Sequence, residues 1–370
     1  MTRAELTARI AALQPEWPDN IALQSFDAAW FATLPEPLQD RLLTCMASGI
    51  ENPESQMGCY ACQPSDYDDL KPFFSKVLAR YHKVPEDARH VNDWHLPPDA
   101  GPKGDGRLDV AELGLPPLSI RVRTARNLSD FPLPGAMTKD DRVALEARMM
   151  QAFDQLIARP DFGGRYHSLT PGNPCEISAG EYQALVDAHI MFKDMSGDSY
   201  LTAAGIAADW PYGRGAYVSG DRQVIVWVGE EDHLRIMAMQ RGTVLNEVFE
   251  RLKAALDVIG SIEGLAFALS EDYGVVTSCP TNLGTGMRAS LHIQLPNLTA
   301  DGTDAKAKEI ARPLGLSVRG AGGEHTPIGA DGTVDISPSA RFCVTEAEIL
   351  HRLYEGIKAL AAEEARAGPG

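Results

Sequence analysis

The sequence predicts an α+β protein, with a small all-α N-terminal domain followed by a larger domain of mixed strands and helices. Three observations point there. Apolar residues recur at helical spacing through the first 85 residues or so. Residues 86–107 are rich in Pro, Gly and Asp, a composition that suits a linker. Beyond residue 108, β-branched apolar runs alternate with helix-start signals. The expected organisation is a helical domain over 1–85, a linker over 86–107 and a catalytic domain over 108–370.

Within the first region Leu6, Ile10 and Leu13 mark one helix, and Leu38, Leu42 and Leu43 a second. Leu70, Phe73, Phe74, Val77 and Leu78 mark a third, ending near His82. Residues 48–60 carry Gly, Pro, Asn and Ser without periodicity and read as a loop. In the second region Leu118–Val122, Gln223–Val228, Gly274–Thr277 and Ser290–Leu295 are strand candidates. Thr138 with Asp141, Ser178 with Glu181, and Thr345 with Glu348 each fit a capping box, in which hydroxyl and carboxylate satisfy the free N–H groups at a helix start. A fourth helix starts near Thr243 and carries Val244, Val248, Leu252 and Leu256. These stripes read as core faces.

The 370 residues carry a formal charge of −17, with 44% hydrophobic content. That content excludes wholesale disorder. The acidic balance argues against nucleic acid and anionic membrane as partners, since both select basic surfaces. Arg3, Glu5 and Arg9 interrupt any secretory apolar core. No stretch is long and apolar enough to span a bilayer. Six cysteines are too sparse for a disulfide framework, so a reduced cytoplasmic location is expected. Cys59 and Cys62 form a lone C-x-x-C, read as two ordinary thiols in a loop, because a structural zinc site needs about four ligands.

The usual nucleotide motifs are missing. There is no P-loop. Gly284–Ala289 matches a loose dinucleotide fingerprint, but a strand is expected after it, and the motif's mechanism needs a helix N-terminus there. Arginine is instead placed suggestively. Arg121 and Arg123 share one strand face, where two guanidinium groups repel unless an anion lies between them. Arg235 follows Glu230, Glu231, Asp232 and His233, Arg288 follows CPTNLGTGM, and Arg319 opens a Gly-rich segment. Singly each reads as a surface charge; together they suggest a polyphosphate clamp, for which the planar guanidinium fork is suited.

CPTNLGTG at 279–286 resembles the signature of the ATP:guanidino phosphotransferases, the phosphagen kinases. RVRTARNL near 121–128, DWPYGRG at 209–215, VWVGEEDHLRI at 226–236, MRASLHIQLP at 287–296 and RGAGGEHT at 319–326 join it in order. The resemblance spans nearly the whole chain and is greatest to arginine kinases. It implies a catalytic domain with an antiparallel sheet flanked by helices, of the phosphagen kinase and glutamine synthetase-like type. It implies that Arg121, Arg123, Arg235, Arg288 and Arg319 hold the nucleotide phosphates, with His189 near the adenosine. Glu231 would grip the substrate guanidinium and Cys279 would lie beside it. Glu230 would stand near Mg2+, which is held largely through water.

Those roles make chemical sense. Phosphoryl transfer needs charge neutralisation and in-line positioning more than covalent help. A guanidinium loses its proton only above pH ~12, so paired carboxylates must align it and accept the proton as the N–P bond forms. Glu231 and Glu324 are the candidates. Cys279 is expected to assist as a thiolate whose pKa neighbouring arginines lower.

Two segments bear on the substrate. Ser55, Gln56, Met57 and Tyr60 occupy the place of the family's N-terminal specificity loop, in an SGIEN…Y frame resembling arginine kinases. The Glu324–His325 pair also resembles them, where creatine kinases carry an apolar residue and an Asp. Gln56, Met57, Gly322 and Gly229 depart from the usual pattern. The expected reaction is reversible transfer of the ATP γ-phosphoryl group to L-arginine, with Mg2+ and ATP or ADP bound, in a monomer or homodimer. Segments 48–60 and Gly320–Gly323 are expected to close over substrates. The rivals are a creatine or taurocyamine kinase, a protein-arginine kinase, which lacks the helical domain, and a catalytically silent nucleotide-binding scaffold.

Overall fold

The structure, a computed structural model, describes residues 1–101, 103–320, 328–329 and 331–368. The helices are α1 (Arg3–Glu16), α2 (Ile21–Ser25), α3 (Ala28–Phe31), α4 (Glu36–Cys45), α5 (Ala47–Glu51), α6 (Asp66–Asp69) and α7 (Lys71–His82). They continue as α8 (Lys139–Ile157), α9 (Ala179–Asp187), α10 (Ser199–Ala203), α11 (Leu245–Gly260), α12 (Ala305–Ala311) and α13 (Glu346–Arg366). The strands are β1 (Leu118–Arg126), β2 (Arg165–Ser168), β3 (Gly215–Val218), β4 (Val224–Val228) and β5 (Leu234–Gly242). They continue as β6 (Leu269–Ser270), β7 (Gly274–Val275), β8 (Met287–Gln294), β9 (Leu316–Gly320) and β10 (Thr333–Pro338). Eight of them form one sheet in the order β2-β3-β4-β5-β1-β8-β10-β9. The pairs β2–β3, β3–β4, β1–β8, β8–β10 and β9–β10 are all antiparallel. The α+β class and the antiparallel sheet flanked by helices are thus both present.

The start signals work as their chemistry requires. Thr138, Ser178 and Thr345 each accept from the backbone N–H three residues on, and the carboxylate there reaches back to the cap. Thr2 and Glu5 do the same for α1. Between α7 and residue 107 no helix or strand occurs among the described residues.

The chain forms two compact units, each built from three separated segments. One contains Met1–Val91, Ala125–Ile236 and Asp257–Gly286. In it, β4 is buried along its whole length, and Phe153 of α8 stacks on Tyr166 of β2 and Tyr217 of β3 with centroids 5.5 and 5.3 Å apart. The other contains Asn92–Thr124, Met237–Leu256 and Met287–Gly370. There Ile120, Val122, Ala289, Leu291, Ile293, Val334 and Ile336 are buried on one sheet face. Helix α13 buries Ile349, Leu350, Leu353, Ile357 and Leu360 and packs on β8 and β10. At Gly356 it passes so near β9 that a Cβ would lie 2.0 Å from Leu316 Cδ1.

Several expectations are corrected. The segment read as a loop from residue 48 begins as helix α5, because the Ile50 and Asn52 amides donate to the Met46 and Ser48 carbonyls. Gly49 permits this, since a Cβ there would sit 2.5 Å from the Gly58 carbonyl. The candidate Gly274–Thr277 shrinks to two residues of β7, the Thr277 hydroxyl being bonded to the Cys279 carbonyl. Strands β2, β3, β5, β6, β9 and β10 were not expected. β2 and β3 are only four residues long, and β3 is buried throughout, so it shows no alternation to read.

Candidate active site

In the first unit the turn between β4 and β5 carries Glu230, Glu231 and Asp232. Gly229 makes that turn possible. It has φ +72°, and a Cβ there would lie 2.5 Å from the Gly213 carbonyl. This accounts for glycine at a position where the family pattern has asparagine. The buried Arg214 guanidinium donates to the Gly229 carbonyl at 3.1 Å and fixes the turn from beneath.

Three acidic side chains follow in succession and are treated differently. Glu230 pairs with Arg235 at 2.8 Å and accepts the Glu231 amide at 2.9 Å. Glu231 lies 3.6 Å from the same guanidinium. Its carboxyl pKa is pushed up to about 7, first by burial and then by Glu230 and Asp232, with Arg235 opposing. Asp232 points inward. It accepts from Asn127 Nδ2 and the Ser278 amide, each at 2.7 Å, and so ties three distant parts of the chain together. Asn127 in turn accepts from the His233 amide at 2.8 Å. Burial opposes the Arg235 charge, but the three acidic groups outweigh it and hold its pKa above the ordinary value. The Arg235 guanidinium lies 5.5 Å from the Trp227 ring centre.

The N-terminal helices bring the remaining members. Ala61 donates to the Ser278 carbonyl at 2.7 Å, and the Tyr67 hydroxyl to the Thr277 carbonyl at 2.9 Å. Tyr60 therefore stands near Cys279 and Glu231; burial first, and then those two groups, push its phenol pKa up. Cys279 Sγ lies 3.1 Å from the Thr281 hydroxyl. The expectation of a depressed Cys279 pKa is overturned. Burial and the Glu231 charge push the thiol well up, and only the Thr281 contacts work the other way.

The specificity segment is tied down. Gln56 and Met57 carbonyls accept the Ile21 and Ala22 amides, and Tyr60 donates to the Cys45 carbonyl. Ser55 Oγ accepts the Gly58 amide at 3.1 Å, Gln56 is exposed, and Met57 is buried with its sulfur 3.9 Å from Cys59 Sγ. The segment expected to close over substrates thus makes hydrogen bonds along much of its length. His189, exposed with φ +57°, follows the end of α9.

The second unit gathers the other arginines. Arg123 on β1 lies directly opposite Arg288 on β8, and Arg121 opposite Ser290. Asp335 on β10 lies between His292 on β8 and Arg319 on β9. Alternation puts Arg121, Arg123, Arg288, His292, Asp335 and Arg319 on one face, opposite the apolar face under α13. Arg288 is held by an ion pair with Asp335 and by Ser337 Oγ at 3.2 Å. Neighbouring guanidinium groups on a half-buried surface favour an anion. After Gly284–Ala289 the chain continues as β8, so no helix N-terminus supports a dinucleotide reading there. Glu324, with Gly322, Gly323 and His325, lies outside the described residues.

Sequence reasoning missed Asp232, Asn127, Thr281, His292 and Asp335. An aspartate inside the apolar run at 333–338 was the available signal for the last, once that run is read as a strand. Asp232 and Asn127 gave no signal of pairing, being 105 residues apart.

Residues 144–367 match the family described as ATP:guanido phosphotransferase, C-terminal catalytic domain, and residues 33–79 match its N-terminal domain. An arginine kinase (Oct f 2) of Amphioctopus fangsiao is 36% identical over 324 residues, covering 87% of each chain. The arginine kinase of Limulus polyphemus is 35% identical over 316 residues, covering 85% of this chain and 83% of its own. Among solved structures, the substrate-free duplicated taurocyamine kinase of Schistosoma mansoni superposes with a TM-score of 0.78 at 29% identity, over 98% of this chain and 49% of that one. A lombricine kinase gives 0.75 at 26% identity, over 90% and 91%.

Proposed function

Since the chain belongs to the ATP:guanido phosphotransferase family, we propose that it reversibly transfers the γ-phosphoryl group of ATP to a guanidino nitrogen of L-arginine, giving phosphoarginine and ADP. It is a phosphotransferase that uses the nucleotide; arginine is the proposed acceptor. The observation that carries the proposal is Glu231, a carboxylate poised near pH 7 beside Arg235, Cys279 and Tyr60. A general base works best with a pKa near the operating pH. Ionised, Glu231 aligns the guanidinium and takes its proton as the nitrogen bonds to phosphorus. Glu324 is proposed as the second carboxylate. Cys279 acts as a thiol packed beside the substrate. Ser55, Gln56, Met57 and Tyr60 shape the amino-acid end of the pocket, with Met57 acting from the core.

Arg121, Arg123, Arg288 and Arg319, together with Arg235, are proposed to hold the phosphates, and His189 the nucleoside. A fixed cationic array stabilises charge spread over the transferring oxygens without reorganising during the step. For Mg2+, the residues fit a water-mediated site. Glu230 is a hard oxygen donor held in place by Arg235 and the Glu231 amide, and Mg2+ bound with a nucleotide uses few protein ligands. When bound, the ion supplies charge neutralisation at the phosphate oxygens. The domain division at 86–107 is proposed as well; the two family matches fall on either side of it. Among the described residues no helix is long and apolar enough to cross a membrane, and we place the activity in the cytoplasm.

Two relatives by structure are named for taurocyamine and lombricine, so the acceptor is the part to test. Turnover with MgATP is compared for arginine, creatine, glycocyamine, taurocyamine and lombricine. Arginine is expected to give the highest kcat/KM, and absence of arginine turnover refutes the proposal. Labelled phosphate on arginines of an unfolded protein, with none on free arginine, would point to a protein-arginine kinase.

A further inference from the structure

The lone C-x-x-C does not pair within itself. Cys62 instead meets Cys45, from the end of α4, and Asp66, the first residue of α6. One ligand atom from each, two sulfurs and a carboxylate oxygen, lie within 4.8 Å of one another, and all three residues are buried. We propose that Cys45, Cys62 and Asp66 form a binding site for a thiophilic divalent cation such as Zn2+.

The distances suit it. Around a tetrahedral zinc with Zn–S near 2.3 Å, ligand atoms lie about 3.8 Å apart; Cys45 Sγ and Asp66 Oδ2 stand 3.3 Å apart and no pair exceeds 4.8 Å, so shifts of about 1 Å or less suffice. Two thiolates and a carboxylate match the zinc sites that have three protein ligands and an open fourth position, rather than the four-ligand structural kind. Asp66 is held in place by donors on both of its oxygens, and the cation would displace one of them, the Cys45 thiol. Arg41 Nε donates to its Oδ1 at 2.9 Å, and the Cys62 and Gln63 amides donate to its Oδ2 at 2.6 and 2.7 Å. Cys45 Sγ donates to that same Oδ2 at 3.3 Å, and Cys62 Sγ to the Tyr60 carbonyl at 3.7 Å. The cation replaces these two thiol protons, which leave to solvent as the two S–metal bonds form. Charge is then largely offset: two thiolates and Asp66 contribute −3, the cation contributes +2, and Arg41, which also pairs with Asp69 at 2.9 Å, lies against the Asp66 carboxylate. Occupation ties the end of α4 to the 60–66 segment. The proposal is independent of the proposed substrate.

The test uses the reduced full-length protein with Zn2+ alone and Cd2+ alone. Calorimetry in buffers of different ionisation enthalpy is expected to show one equivalent bound with about two protons released. Cd2+ should give a thiolate charge-transfer band, and the thermal midpoint should rise. Cys62→Ser and Cys45→Ser should each weaken binding at least ~100-fold, while Cys59→Ser and Cys279→Ser leave it within about twofold. Binding that survives both cluster variants, or that disappears in Cys279→Ser, overturns the assignment, as does no binding at all. If a cluster variant fails to fold, alkylation of the unaltered protein decides. Cd2+ must protect Cys45 and Cys62, and equal labelling with and without it overturns the proposal.

Discussion

Glu231→Gln should cut turnover sharply and at the same time stabilise the ligand-free protein. The pKa of Glu231 is raised from 4.5 to about 7. Below pH 4.5 the carboxyl is protonated both in the folded and in the unfolded chain, and Gln is equivalent to it. As pH rises from 4.5 towards 7 the unfolded chain ionises while the folded one resists, so the folded state binds more protons and stability falls. Above about 7 the loss is complete. The shift alone corresponds to about 3 kcal/mol. The side chain keeps 19% of its surface exposed, and solvent screening reduces that to about 1–2 kcal/mol. Glutamine is nearly isosteric and carries no charge against Glu230 or Asp232. Urea denaturation of both proteins near pH 8 and near pH 5 measures the difference. The variant should be more stable by about 1–2 kcal/mol near pH 8, a thermal midpoint gain of about 1–3 °C for a chain of this size, with the gap closing towards pH 5. A variant equally or less stable near pH 8, or a gap that ignores pH, refutes the idea that the fold holds this carboxylate at a cost in stability.

Turnover by Glu231→Gln should drop ~10²-fold or more, with the proposed proton acceptor gone, and initial rates with MgATP and arginine read this directly. Arg288→Ala should lower kcat by a similar factor and raise KM for ATP, because it removes a charge proposed to face the phosphates and takes from Asp335 its arginine partner; unchanged rates would contradict the proposed nucleotide face. Thr281→Val should move the pH profile of Cys279 alkylation upward, since the Thr281 contacts are the ones lowering that thiol's pKa, and mass-spectrometric labelling across pH follows it. Asp232→Ala should cost roughly 2–4 kcal/mol, because Asn127 and the Ser278 amide lose a buried acceptor; urea midpoints measure the loss.

Helices were legible where local chemistry alone defines them. The capping boxes at Thr138, Ser178 and Thr345 are complete within four residues, and each helix begins where its box says. Strands were most legible where one face is polar, as in β1 and β8, whose burial alternates along much of their length. In β3 and β4 both faces are buried. β4 was still found from its β-branched run, whereas β3, a short GAYV, passed unread. The arginines were found because charge on an alternating strand is conspicuous. Their partner Asp335 was missed because β10 itself went unrecognised.

The order of residues by itself determined that the chain belongs among the ATP:guanido phosphotransferases, which residue types carry the charge, and where most helices start. These properties are written in contiguous segments, and local hydrogen bonds enforce them. Only the tertiary structure decided the protonation of Glu231, the raised pKa of Cys279 and the meeting of Cys45, Cys62 and Asp66. Each of these depends on burial and on groups far away in the chain, and desolvation is a property of the packed environment that no stretch of sequence contains.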